Sequence, residues 1–355
     1  MLRHIYLDAL ARCAPERLVR EVLRDDMPRD VVAIGKSAGA LLDGIAGHAR
    51  DAFVAIPTSY KLPATRAHVA IGGHPDYTES SFEAGDALLR FVDAHDDLLF
   101  LISGGGSACV EVPARGFSRA QLADENARLI ASGLPIGAIN ARRKELSAIK
   151  GGKLAQRVRG RCVTLVYSDV STGALGDVAS GPTIPGSDEV VLIADNTTLV
   201  RAAAEAASGK MGGPARRSLP PARFIEQQIE CDVDDAARFL LAQLDHAAFV
   251  IAGGEPTVAI CGDGQGGRCC ELAVRVALQA GDMRLEALFG SSDGVDGNSG
   301  SAGVAVRLPA DFDRAEAARE LARSNSLAVA TRIGQPIRIP AAGNNLRDLY
   351  LLARS

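Results

Sequence analysis

The sequence predicts an α/β protein of two domains, with parallel sheets covered by helices on both faces. Three observations carry this. Short apolar runs alternate with helix-patterned segments along the chain, the layout of strand–helix–strand units. Several runs, such as Asp97–Ile102 (DLLFLI), are continuously apolar, as expected of strands buried on both faces. At 355 residues the chain exceeds the about 250–300 that one core usually organises. The Gly-, Pro- and basic-rich stretch Lys210–Pro221 reads as the linker, giving domains 1–230 and 231–355.

Composition excludes several classes. Thirty-nine basic residues against 43 acidic ones give a net charge of −4, with no basic stripe for nucleic acid and no acidic tail. Seven scattered cysteines without a CxxC pair read as reduced thiols. No apolar run approaches the ~18 residues of a membrane span, and the N-terminal MLRHIYLDALARC has no signal-peptide pattern. The expectation is a cytoplasmic protein, monomer or homodimer, acting on small molecules without nucleic-acid or membrane partners.

Taken in order, Ile5–Leu23 reads as a helix. Val31–Ile34 is a short strand that runs into Gly35-Lys36-Ser37-Ala38-Gly39 and a small-residue helix, Ala40–Ala49. Strand–glycine–helix points backbone N–H groups at an anion, and Lys36 adds a charge. GKS imitates the end of a P-loop, but GxxxxGK[ST] requires glycine where Asp30 stands. Phe53–Pro57 and His68–Ile71 read as strands and Ser80–Ala94 as a helix. Asp97–Ile102 then meets Ser103-Gly104-Gly105-Gly106-Ser107, a turn or a phosphate cradle with close backbone approach. Gln121–Ser132 is helical. The basic run around Arg142, Lys144, Lys150 and Lys153 forms either an anion-facing surface or a solvated helix face. Strand Cys162–Tyr167 ends on Ser168-Asp169; a carboxylate at a strand's carboxyl tip sits where open α/β sheets bind ligands. Asp169 is the leading candidate to hold a metal or accept a hydroxyl proton.

In the second half, helix Asp195–Ala207 and helix Asp232–Leu244 lead to strand Phe249–Ala252, a turn with Glu255, a strand Thr257–Cys261, and a loop with four glycines between Gly262 and Gly267. That loop opens a helix at Arg268, so Gly266, Gly267 and Arg268 form a candidate anion site. Strand Leu285–Phe289 delivers Asp293 and Asp296 among glycines and hydroxyls, suited to Mg²⁺ or ribose or simply to an Asx-rich turn. Ala315–Ser324 is helical, and a last strand and helix, Ile337–Leu352, close the chain. Two anion cradles, two cations and several carboxylates at strand ends, without GxGxxG, point to phosphoryl transfer in a cleft between the domains.

Eight segments in order sharpen this: VVAIGKSAGA, IGGHPDYTESS, LISGGGSACVEVP, INARRKELSAIKGGKLA, VYSDV with GDVASGPTIP, AGGEPTV with GQGGRCCELAV, GSSDGVDGNSGSAGVAV, and NNLRDLYLL. Together the chain resembles the class II glycerate kinases, a family that carries a C-terminal MOFRL domain and whose members also bear the name hydroxypyruvate reductase. The resemblance implies a Rossmann-like parallel-sheet N-terminal domain and a smaller α/β C-terminal one. It implies ATP and Mg²⁺ as cofactors and transfer to the 2-hydroxyl of D-glycerate. It maps active-site residues onto Lys36, Asp169, Glu255, Arg268 and Asp293; the strand-end reading makes Lys36, Asp169 and Arg268 catalytic, Ser103, Gly104, Gly105, Gly106, Ser107, Gly266 and Gly267 nucleotide-binding, and Glu255 and Asp293 metal-binding. Where the family has GGRNQEL this chain reads GGRCCEL, so Cys269 and Cys270 replace two amides and are expected to alter the hydrogen bonds offered to a ligand.

Overall fold

The computed structural model describes residues 1–58, 60, 62–132, 134, 136–171, 173–208, 220–340 and 343–354. The chain opens with α1 (Leu2–Arg12) and α2 (Pro15–Val22), followed by β1 (Asp30–Ile34), α3 (Ala38–Gly44), β2 (Asp51–Pro57), β3 (His68–Gly72) and α4 (Glu79–Ala94). It continues with β4 (Leu98–Ser103), α5 (Gly106–Cys109), α6 (Arg119–Ala131), α7 (Ile136–Leu146), β5 (Cys162–Tyr167) and β6 (Glu189–Ala194). Next come α8 (Asn196–Ala207), β7 (Ala222–Phe224), α9 (Val233–Gln243), β8 (Phe249–Gly254), α10 (Arg268–Gln279), β9 (Leu285–Ser291) and β10 (Gly303–Leu308). The last elements are α11 (Arg314–Ala322), α12 (Ser326–Ile333), β11 (Gly334–Ile337) and β12 (Asp348–Arg354).

These elements form two compact units. The first holds Ala14–Asp195 and a return segment, Gly343–Asn345. Its sheet has the order β3-β2-β1-β4-β5-β6 with every pair parallel. That is the doubly wound Rossmann order, and the strand sequence reverses between β1 and β4. Continuous apolar runs explain the centre: β1, β4 and β5 are buried at every position. Val32, Phe53, Leu98, Phe100 and Val166 form a core under α4 with Leu88 and Val92.

The second unit holds Met1–Cys13, Asn196–Ala342 and Leu346–Ser355. Its sheet, β11-β10-β9-β12-β8-β7, is mixed: β7 and β8 are parallel, the other pairs antiparallel. Leu240, Leu272, Val276, Phe289 and Leu352 pack in its core. Among the described residues no helix is long and apolar enough to cross a membrane.

Several expectations change. Ile5–Leu23 is two helices, because Pro15 lacks an N–H and starts a new helix at its first turn. The first unit ends at Asp195, not near 230: α8 packs with α1, and Asn196 Nδ2 donates to the Leu346 and Asp348 carbonyls at 2.7 and 3.0 Å. Of the expected linker, residues 210–219 lie outside the described residues. Thr257–Cys261 forms no strand; Thr257 makes one isolated bridge to Asp232, and Ile260 is 84% exposed. The expected terminal helix is β12, which is paired on both sides, by β8 and β9. Parallel sheets were expected throughout, but an apolar run says nothing of strand direction, and the second sheet is mixed.

Candidate functional site

In the first unit, the loops after β1 and β4 meet where the strand order reverses. Gly35 sits at φ 114°, and a Cβ there would lie 2.3 Å from the Ser103 carbonyl oxygen. Lys36 N donates to the Gly104 carbonyl at 2.8 Å, and Ser37 N to Ser103 Oγ at 3.0 Å. Ser103 is fully buried and donates in turn to the Ile34 carbonyl at 3.3 Å. Its hydroxyl thus laces two loops together, a structural role in place of the expected phosphate contact. Ser107 pairs with Ser180 at 2.7 Å.

The glycines serve close approach. The Lys36 side chain lies against Gly105, where a Cβ would come 2.7 Å from its Cγ, and Lys36 Nζ stands 5.5 Å from the Tyr60 ring centroid. The half-buried Asp169 packs against Gly104: a Cβ at 104 would fall 1.5 Å from Asp169 Oδ2 and 2.4 Å from Asn345 Nδ2. Asn345 Nδ2 donates to that same Asp169 oxygen at 2.9 Å. Lys36 and Asp169 are therefore brought to adjacent glycines at the carboxyl end of a parallel sheet. Gly106 takes the Ile34 and Ala179 side chains, at 2.8 Å from its would-be Cβ, and is a packing glycine.

Gly104→Ala tests this reading. The atoms nearest the new methyl are the side-chain ends of Asp169 and Asn345, so the expected result is a folded protein with a nearly unchanged Tm. With the carboxylate displaced by about 1 Å, kcat is expected to fall about 100-fold; thermal melts and steady-state rates check both halves.

The basic run is committed internally. Lys144 Nζ pairs with Asp177 at 2.7 Å, Arg142 with Glu145 at 2.8 Å, and Lys153 Nζ donates to the Lys144 and Ser147 carbonyls at 2.6 Å each. Lys150 is buried against Glu111 and Tyr77, and burial lowers its pKa. The run is an anchoring segment, not an anion-facing surface.

The second unit gathers Arg268, Glu255, Arg347 and Asp348 at the ends of β8, β12 and α10. Arg268 Nη1 lies 2.5 Å from Glu255 Oε1, and its Nε donates to Asp348 Oδ2 at 3.3 Å. Burial alone would lower the pKa of Arg268, but Asp348 and Glu255 outweigh it and raise the value, so the guanidinium stays charged. Glu255 Oε2 lies 3.4 Å from Arg347 Nε. Arg347 also donates to Gln228 at 2.5 Å and pairs with Glu230. Glu255 is thus bound to two guanidinium groups, which fits an arginine-positioning role better than the expected metal ligand.

The amino end of α10 does not match the expected anion site. Asp296 occupies it, its two carboxylate oxygens accepting from Cys269 N and Cys270 N at 2.9 Å each. Gly267 is glycine because a Cβ would lie 2.1 Å from Asp296 Oδ1, and Gly266 N donates to Asn298 Oδ1 at 2.7 Å. Gly267 admits the 293–298 loop, and Gly266 admits Ser326, whose Oγ would lie 2.1 Å from a Cβ there. Asp296→Ala removes two charge-assisted bonds at a buried helix end and is expected to cost about 2–4 kcal/mol in urea unfolding. The Cys269 and Cys270 side chains are buried in the core, and burial pushes both thiols up. The change from amides to thiols therefore alters core packing and removes the expectation that it alters ligand-facing donors.

Among the described residues no group of three or more His, Cys, Asp or Glu is arranged to hold a metal ion. Mg²⁺ in kinases commonly takes one or two carboxylates, with waters and substrate phosphates completing the shell. Asp293 Oδ1 accepts from Ser291 Oγ at 2.8 Å and from Val295 N at 3.0 Å. Sequence reasoning missed Asn345, Arg347 and Asp348. Their signal was polar residues set at the tip of an apolar strand, the same signal that found Asp169.

Comparison with known proteins matches residues 1–208 to a domain of unknown function, DUF4147, and residues 248–348 to the MOFRL family. The glycerate 2-kinase of Sulfurisphaera tokodaii is 28% identical, covering 91% of this chain and 89% of its own. A relative from Agrobacterium vitis, named for hydroxypyruvate reductase, is 30% identical and covers 86% and 82%. The crystal structure of Thermotoga maritima glycerate kinase superposes with a TM-score of 0.84 at 26% identity, covering 99% of this chain and 98% of that one.

Proposed function

This chain belongs to the class II glycerate kinase family, in which a DUF4147 domain precedes a MOFRL domain, and from that premise we propose that it transfers the γ-phosphoryl group of ATP to the 2-hydroxyl of D-glycerate. The observation that carries the proposal is the placement of Asp169 and Lys36 on the adjacent Gly104 and Gly105 at the strand-order reversal. Asp169 orients the acceptor hydroxyl and takes its proton as the new O–P bond forms and the bond from Pγ to the bridging oxygen breaks, releasing ADP. Asn345 fixes Asp169 through its amide. Lys36 and Arg268 neutralise phosphate oxygens and the glycerate carboxylate. Asp293 would hold Mg²⁺, which when bound neutralises charge on the nucleotide phosphates. Glu255 keeps Arg268 in place.

The alternative is an NAD(P)H-dependent hydroxypyruvate reductase, favoured by the strand order and by the Agrobacterium relative's name. The β1–α3 turn speaks against it: Gly35-Lys36-Ser37-Ala38-Gly39 lacks the GxGxxG spacing that lets a pyrophosphate approach. The deciding experiment is an ATP-turnover assay with Mg²⁺ over D-glycerate, L-glycerate, erythronate, tartronate and hydroxypyruvate, with NADH and NADPH oxidation in parallel. Turnover with D-glycerate as the best acceptor is expected. ATP turnover confined to another acid would move the acceptor assignment, and hydroxypyruvate reduction without ATP use would overturn the kinase reading.

A further inference from the structure

Asp348 has features that a packing role leaves unexplained. It is the first residue of β12, paired in register with Gly254 on one side and Ser291 on the other, and is fully buried. Its Oδ2 accepts from Arg268 Nε at 3.3 Å and from the Tyr350 hydroxyl at 3.2 Å. Its Oδ1 is buried and accepts no hydrogen bond among the described residues. A buried carboxylate oxygen without a donor opposes folding. Its neighbour Arg347 adds a second unfavourable feature, a left-handed backbone at φ 63° on a residue other than glycine. Two such features side by side in one dipeptide mark a place where function holds the conformation against stability.

The two residues bracket the same guanidinium network. Asp348 grips Arg268 at Nε, Glu255 grips it at Nη1, and Arg347 holds Glu255 by its other oxygen. Arg268 is thus fastened on two edges of its fork, and the fastening on the strand side comes from a fully buried carboxylate. We propose that Asp348 is a positioning residue for Arg268: its negative charge fixes the guanidinium plane for the anionic ligand, and Arg347 acts as the back support of Glu255 in the same frame. This rests on the assignment of Arg268 to anion binding in the kinase reaction. Asp348 itself touches no reacting atom.

The test is Asp348→Asn, measured for Tm and for ATP-dependent turnover of D-glycerate, alone and combined with Arg268→Lys. Asparagine keeps the size and the acceptor for Arg268 and Tyr350 and removes the charge. Because Glu255 still pairs with Arg268, the expected result is a Tm close to that of the wild type, with kcat/KM down at least about tenfold once the charge-assisted bond to Arg268 is gone. In the Arg268→Lys background, where no planar fork remains to be oriented, Asp348→Asn is expected to change kcat/KM by less than about twofold, because residues acting through one another are not additive. A lowered Tm with activity falling in proportion, or equal effects of Asp348→Asn in both backgrounds, overturns the proposal. A wild-type protein that turns over neither ATP nor D-glycerate contradicts the kinase reading instead, and the Tm comparison still decides whether the Asp348 charge is needed for stability.

Discussion

Asp169→Asn is expected to lower kcat for D-glycerate with saturating ATP by at least about 100-fold, the scale of a lost general base. The side chain is half-buried and its Oδ2 faces Asn345 Nδ2 at 2.9 Å, so an amide oxygen can keep that hydrogen bond while the proton acceptor is gone. Tm should therefore stay close to the wild-type value, and KM for ATP should change little. Release of ADP measured at saturating substrates separates these effects. A loss of less than about tenfold would remove the base role and leave Asp169 as an orienting group.

Arg268→Lys is expected to reduce kcat/KM by about 100–1,000-fold, the scale of one charge-stabilising donor removed from a transition state. Lysine keeps the positive charge beside Asp348 and Glu255 but cannot meet two carboxylates and a ligand with one planar fork. Arg268→Ala is a poorer probe. It strands the buried Asp348 carboxylate without its cation and should cost about 3–5 kcal/mol of stability as well. Melting curves for both variants, alongside rates, distinguish weakened ligand binding from a loosened β12. Wild-type kcat/KM in Arg268→Lys would mean that the guanidinium is a structural clamp only.

The first unit was the more legible in sequence because its signals are local. Strand Cys162–Tyr167 has the bounds expected of it, and β1 and β4 differ by a residue, since a continuous apolar run ended by glycine or a polar residue defines a buried strand by itself. Lys36 and Asp169 followed from the same logic, as polar residues at strand tips. The second unit depends on partners far along the chain. The Leu-rich end of the chain reads as a helix alone and becomes β12 only between β8 and β9. Gly266 and Gly267 look like an anion cradle until Asp296, 29 residues beyond Gly267, is seen filling the helix end. Glu255 reads as a ligand until Arg347, 92 residues later, is found on its second oxygen. Polar residue types were thus visible, but their assignment to ligand or to protein partner was set by tertiary contacts.

The most direct test of the kinase account is the position of phosphate on the product. The wild-type protein, ATP, Mg²⁺ and D-glycerate are incubated, and the product is resolved by phosphorus–proton NMR. Coupling of the new phosphorus to the single proton on carbon 2 is the predicted result, marking 2-phosphoglycerate made at the expense of ATP. Coupling to the two protons on carbon 3, or ATP hydrolysed to ADP and free phosphate without a phosphorylated acid, would contradict the account.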